Sequence, residues 1–200
     1  MAESSCFDMD PNPFLQFERW YADACGSSLS MPNAMTLATV DEEGHPNARM
    51  VLLKGFSDHG FDFFTNRLSP KGRELAVTPY ASLVFWWEPL SRQVRIRGPV
   101  SQQSDQESDT YYQSRDRGSR IGAWASQQSS LLSGREELEA SVKYYQLKFG
   151  DGPIPRPPYW GGFRLSPTAI EFWQEQPFRL HDRMRYRKVH HAWIQERLSP

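Results

Sequence analysis

The stretch Ala34–Asn66, AMTLATVDEEGHPNARMVLLKGFSDHGFDFFTN, decides the fold. Met35–Val40 reads as a strand, Asp41-Glu42-Glu43-Gly44 as a turn, and Asn47–Lys54 as the returning strand. Ser57-Asp58-His59-Gly60 is a second turn, and Phe61–Asn66 the next strand. Further on, Ala81–Trp87 and Gln93–Val100 are two more strands joined at Glu88-Pro89-Leu90. Hairpin-length connections of this kind suggest a closed antiparallel barrel rather than alternating βαβ units.

Helices flank these strands. Asn12 caps a helix that has Pro13 at its first position, and Phe14, Phe17, Trp20, Tyr21 and Ala24 recur on one face. Ser69–Val77 reads as a short helix. Asp105–Ser114, Gly118–Ala125 and Gly134–Phe149 are helical, and the proline-rich Gly150–Pro158 is a stiff connector. Strands return at Gly162–Leu165, Ala169–Trp173, Leu180–Lys188 and His191–Leu198. The last 40 residues are too few to fold alone, so they complete the barrel. The expectation is one mainly β domain with flanking helices over residues 12–200, after a disordered segment 1–11.

The chain has 200 residues, with 23 Lys+Arg against 24 Asp+Glu, which gives no global pull toward nucleic acid or acidic membrane. Cys6 and Cys25 are the only cysteines, so free thiols are expected rather than a disulfide, and no zinc site. The N-terminus lacks an apolar leader and no run approaches the length of a membrane span. A soluble, cytoplasmic protein is the expectation.

Four stretches could carry chemistry. In Arg179-Leu180-His181-Asp182-Arg183, an extended strand would place Arg179, His181 and Arg183 on one face, an anion-handling edge walled by Phe172-Trp173. Arg49-Met50-Val51-Leu52-Leu53-Lys54 has a cation at each end and can bind two anionic groups; charged strand ends at a solvent boundary are the plainer reading. Phe63-Phe64-Thr65-Asn66 leads into Ser69-Pro70-Lys71-Gly72, where a helix start beside a lysine suits a phosphate or is ordinary capping. Tyr111, Arg115 and Ser119 are spaced i, i+4, i+8, which on a continuous helix makes a polar stripe fit for a phosphate monoester or simply a solvated face. No nucleotide-binding glycine loop, metal-ligand spacing or nucleophile elbow is present.

In sequence order, RMVLLK, FFTN, RQV, IGAWASQQSS, WGGF, EFWQ, RLHDR and the terminal ERLSP resemble the pyridoxamine/pyridoxine 5′-phosphate oxidase family from about Phe14 to Pro200. The resemblance implies a homodimeric split antiparallel β-barrel with FMN at the subunit interface. By position, it assigns Arg49, Met50, Val51, Leu52, Leu53, Lys54, Phe64, Thr65, Lys71, Gln93, Gln128, Ser129, Trp173 and Arg183 to FMN. It assigns Lys54, Tyr111, Arg115 and Ser119 to the substrate phosphate, and Arg179 and His181 to the reacting pyridine ring. The implied reaction is oxidation of pyridoxamine and pyridoxine 5′-phosphates to pyridoxal 5′-phosphate, with dioxygen as acceptor and hydrogen peroxide as product.

Three departures from the family pattern stand out. Pro70 replaces a common arginine before Lys71, Arg120 replaces a common glutamine beside Ser119, and Gln176-Pro177-Phe178 before Arg179 is bulkier and stiffer than expected. The last bears on substrate preference. Competing readings are a related split-barrel flavin oxidase acting on another small cyclic metabolite such as a phenazine precursor, a non-catalytic flavin or pyridoxal phosphate binder, and a nucleic-acid module built on Arg183, Arg185, Arg187 and Lys188. The net acidic chain and the confinement of these cations to one strand weigh against the last.

Overall fold

The structure, a computed structural model, describes residues 7–190 and 192–200. Helix α1 spans Pro13–Cys25, with the Asn12 side chain accepting from the Phe14 N–H at 2.9 Å. Its face buries Phe17 and Trp20, and Phe17 meets Phe56, Phe61 and Phe85 edge-on at centroid distances of 4.9–5.3 Å. Full burial of one such ring contributes roughly 2–3 kcal/mol, so this face fixes α1 on the sheet.

Ten strands follow among the described residues: β1 (Ala34–Val40), β2 (Pro46–Leu52), β3 (Gly55–Ser57), β4 (Gly60–Asn66), β5 (Tyr80–Trp87), β6 (Arg92–Gln102), β7 (Trp160–Leu165), β8 (Ala169–Gln174), β9 (Asp182–Val189) and β10 (Ala192–Arg197). All pairings are antiparallel, along the path β10-β9-β8-β6-β5-β1-β2. The long β6 forks: Arg92–Arg97 pairs with β8, and Val100–Gln102 pairs with β7, which continues to β4 and β3. One strand, β6, is therefore shared between two branches of the sheet. Gly60, at φ +139°, makes the β3–β4 turn: a Cβ there would lie 2.2 Å from the Leu165 carbonyl oxygen.

Helices α2 (Pro70–Val77), α3 (Asp105–Ser114), α4 (Arg117–Ala125) and α5 (Arg135–Phe149) complete the fold. A second, smaller core of Tyr112, Ile121, Ile154 and Trp160 joins α3, α4, the proline-rich connector and β7. Burial and a hydrogen bond into the backbone carbonyl of Arg120 mark Tyr112 as packed; burial pushes its phenol up to about 12.

Three expectations need correction. Residues 7–11 are not loose: Met9 is buried and Tyr186 Oη donates to the Asp10 carbonyl at 2.5 Å, while residues 1–6, including Cys6, lie outside the described part. Tyr111, Arg115 and Ser119 are not on one helix. Arg115 takes an extended conformation (ψ 150°) that ends α3, and Asp116 caps α4 by accepting from the Ser119 N–H at 2.7 Å. Nor does a strand begin at Leu180. Pro177 starts a short 3-10 turn through Arg179 in which Phe178 and Arg179 both have positive φ (59° and 62°), so β9 begins only at Asp182 and Arg179 leaves the face that Arg183 occupies.

Candidate functional site

A cleft of about 490 Å³ opens beside β2, the last strand on its branch of the sheet. Every second residue of an antiparallel edge strand turns its N–H and C=O outward, so β2 offers backbone as well as side-chain contacts. Arg49, Met50, Val51 and Leu52 line the cleft from β2, and Lys54 follows them. β4 adds Phe64 and Thr65, α2 adds Lys71, α3 adds Tyr111, the α3–α4 junction adds Arg115 and Asp116, α4 adds Ser119, the following turn adds Gln128, and β7 adds Trp160. The break at Arg115–Asp116 is what brings Arg115 and Ser119 to the same opening as Tyr111.

Two polar groups and an aromatic wall divide the cleft. In the first group, Gln128 Oε1 accepts from Thr65 Oγ1 and from Lys71 Nζ, both at 3.0 Å. Burial pushes the Lys71 ammonium below its ordinary value; the Arg49 charge adds to this and Glu74 partly offsets it. In the second group, the Arg115 guanidinium lies 4.7 Å from the Trp160 ring, and its buried Nη1 has no hydrogen-bond partner among the described residues. A buried guanidinium donor without an acceptor is costly unless a ligand supplies one. Lys54 Nζ lies 5.8 Å from the Tyr111 ring centroid. Hydrogen bonds from Ser119 hold the Asp116 carboxyl below the usual range.

The wall is a stack: Phe64 lies 4.0 Å from Tyr111 and 5.4 Å from Trp160, nearly parallel to both. Gly162, opposite Phe64 on β7, makes room for it, since a Cβ there would meet Phe64 Cε1 at 2.7 Å.

Arg49 is held from behind. Its Nη2 donates to Glu74 Oε2 at 3.0 Å and its Nη1 to the Thr39 hydroxyl; Glu74 also accepts from Thr39 and from Asn47 Nδ2 at 2.9 Å. Leu53, expected at the cofactor, faces the core instead, and Asn33 takes both its N–H and its carbonyl. Ser129 is exposed beside Gln128 with φ 70° and does not line the cleft. Arg120 turns away and donates to Gln113 at 2.9 Å.

The remaining expected residues lie outside the cleft, at the β6–β8–β9 end of the strand path that ends in β2. Gln93, Trp173 and Arg183 are cross-strand partners in one row over β6, β8 and β9. Trp173 lies 6.0 Å from Trp86 and 4.5 Å from the His181 ring, whose Nδ1 accepts from the Gln176 N–H at 3.2 Å. Arg183 donates twice to Glu171 Oε1, at 2.9 and 2.7 Å, and lines a separate groove of about 210 Å³ with Arg95, Arg97 and Arg185. Arg185 and Arg187 share the single carboxylate of Glu196, so the basic strand read as a nucleic-acid surface is partly compensated within the chain. Arg179 and His181 do not line the cleft of their own chain.

Sequence reasoning missed Trp160, Asp116 and Glu74. The WGGF motif contained the first, and an Asp three residues before Ser119 is a capping signal for the second. Glu74 carried no local signal.

Two family models match the chain: pyridoxamine 5′-phosphate oxidase over residues 22–149, and the pyridoxine 5′-phosphate oxidase C-terminal dimerisation region over residues 160–200. A pyridoxine/pyridoxamine 5′-phosphate oxidase of Cyanothece sp. is 56% identical over 96% of this chain and 91% of its own, and one of Paraburkholderia phytofirmans is 55% identical over the same shares. Among solved structures, PhzG from Burkholderia lata, in complex with tetrahydrophenazine-1-carboxylic acid, superposes with a TM-score of 0.91 at 32% identity over 96% of this chain and 95% of that one. A pyridoxamine 5′-phosphate oxidase-related, FMN-binding protein from Nostoc punctiforme shares the fold, with a TM-score of 0.76 at 18% identity and coverage of 96% and 100%. With both models matched in order and relatives more than half identical, the chain belongs to the pyridoxamine 5′-phosphate oxidase family.

Proposed function

We propose that the protein is an FMN-dependent oxidase that converts pyridoxamine and pyridoxine 5′-phosphates to pyridoxal 5′-phosphate, with dioxygen as acceptor and hydrogen peroxide as product. The observation that carries this reading is the cleft's pair of polar groups flanking an aromatic wall, with Arg115 Nη1 buried and unpaired in one of them. A planar flavin with a phosphate tail and a planar substrate with its own phosphate together need two anion sites and flat walls. The donor set fits: Arg49, Lys71, Thr65 and Gln128 would hold FMN, and Lys54, Tyr111, Arg115 and Ser119 the substrate phosphate. Bound FMN supplies the acceptor for a hydride equivalent and the route to dioxygen.

The chain's own residues bind and orient. Arg115 and Lys54 neutralise the substrate phosphate at a distance from the reacting carbon, so that binding energy is used for positioning. Phe64, Tyr111 and Trp160 exclude water from one side. Arg179 and His181 would cover the reacting ring from a second copy, since they lie outside the cleft of their own chain. A homodimer with FMN at the interface joins the two surfaces; the matched C-terminal dimerisation region, which carries Trp173, Arg179, His181 and Arg183, supports this. No helix among the described residues is long and apolar enough to cross a membrane, in keeping with a cytoplasmic enzyme.

The likeness to PhzG supports a second reading, oxidation of a phenazine precursor. The intact set of Lys54, Tyr111, Arg115 and Ser119 favours a phosphorylated substrate instead. The test is to purify the protein, record its flavin spectrum, and follow pyridoxal 5′-phosphate and peroxide after adding pyridoxamine 5′-phosphate in air. A protein that stays colourless with added FMN rejects both oxidase readings; a yellow protein without turnover rejects this substrate.

A further inference from the structure

We infer that Glu74 is a positioning residue that sets the Arg49 guanidinium in the cleft and so governs affinity for FMN; this rests on the function proposed above. Glu74 is 9% exposed and three donors converge on it, from Thr39 on β1 and from Asn47 and Arg49 on β2. Arg49 spends both terminal nitrogens on the side away from the cleft, on Glu74, Thr39 and the Leu37 carbonyl. Its long side chain has many rotamers, and the carboxylate selects one. Lys71 stands three residues earlier on α2, so one helix turn carries a cation into the cleft and the carboxylate that orients a second cation.

A plain alternative is that Glu74 only ties α2 to the hairpin, or only balances charge. The three roles differ in sign. A carboxylate beside an anion site weakens anion binding by Coulomb repulsion, so a charge-balancing Glu74 predicts tighter FMN binding once its charge is removed. A purely structural tie predicts a lower melting temperature with unchanged FMN affinity in the folded protein. A positioning role predicts weaker FMN binding that depends on Arg49.

The experiment is a double-mutant cycle read by quenching of FMN fluorescence on the full-length, flavin-stripped protein, with thermal melts alongside. Glu74→Gln should weaken FMN binding about tenfold in the wild-type background and less than about twofold in the Arg49→Ala background. Should Glu74→Gln not fold, Glu74→Asp keeps the charge, withdraws it by one methylene from Arg49, and carries the same expectation. FMN binding that is unchanged or tighter, or losses that simply multiply, overturns the proposal while leaving the proposed function standing. A wild-type chain that binds no FMN overturns both.

Discussion

The cleft beside β2 and the outer row on β6, β8 and β9 are both rich in cations and aromatics, yet their charges are handled in opposite ways. In the outer row, Arg183 pairs with Glu171, and Arg185 and Arg187 with Glu196. In the cleft, among the described residues, Lys54, Lys71 and Arg115 form no ion pair, and Arg115 keeps a buried donor without an acceptor. Only Arg49 is tied to a carboxylate there, and that carboxylate lies behind it. Arginines paired to carboxylates of their own chain suit contact with another protein surface, where buried unpaired charge is costly. An uncompensated cluster suits a small anion. That difference fits the proposed shared site, in which one region meets the ligands and the other comes from a neighbouring copy.

The largest effect is expected at the unpaired donor. Arg115→Ala should raise KM for the phosphorylated substrate about 100-fold, roughly 3 kcal/mol, with flavin retained. Steady-state kinetics beside the visible spectrum checks this, and loss of flavin instead would merge the two polar groups of the cleft into one. Arg49→Ala should weaken FMN binding by about 2 kcal/mol, or some 30-fold, measured by fluorescence titration. Arg179→Ala, from the other region, should cost turnover and keep FMN.

Smaller effects concern the scaffold. Burial pushes Tyr112, beneath the cleft, and Tyr186, beneath the outer row, both up to about 12. Their folded pKa values lie above the unfolded value of 10.0, so the stability they add is full below pH 10 and is lost as pH rises toward about 12. Denaturant melts across that range should show the loss, and Tyr112→Phe should reduce it. Least of all, Phe178→Gly should stabilise the chain by about 0.5–1 kcal/mol in a thermal melt, because Phe178 sits at φ 59° and is 92% exposed.

Strands were legible because period-two patterns ended at glycine, proline and acidic turns; β1, β4 and β5 begin within a residue of where the pattern placed them. The cleft was legible through RMVLLK and FFTN, where neighbours in sequence are neighbours at the site. Local pattern failed where one residue overrode it. The i, i+4, i+8 spacing of Tyr111, Arg115 and Ser119 hid a helix break made by Asp116, and Pro177 bent what alternation alone would extend. Glu74 was invisible because its partners arrive by the β1–β2 pairing and not by spacing along the chain. The placement of Gln93, Trp173 and Arg183 away from the cleft is a property of three dimensions, and their joining to it would be a property of two chains.

The most direct test mixes two defective proteins. If one copy supplies Arg49 and its neighbour Arg183, a hybrid dimer of Arg49→Ala and Arg183→Ala chains contains one site with both arginines intact. Each variant alone should bind FMN poorly and turn over slowly. After co-refolding in equal amounts, random pairing should restore about a quarter of wild-type activity and flavin occupancy. A mixture no better than the average of the two variants would contradict a site shared between copies.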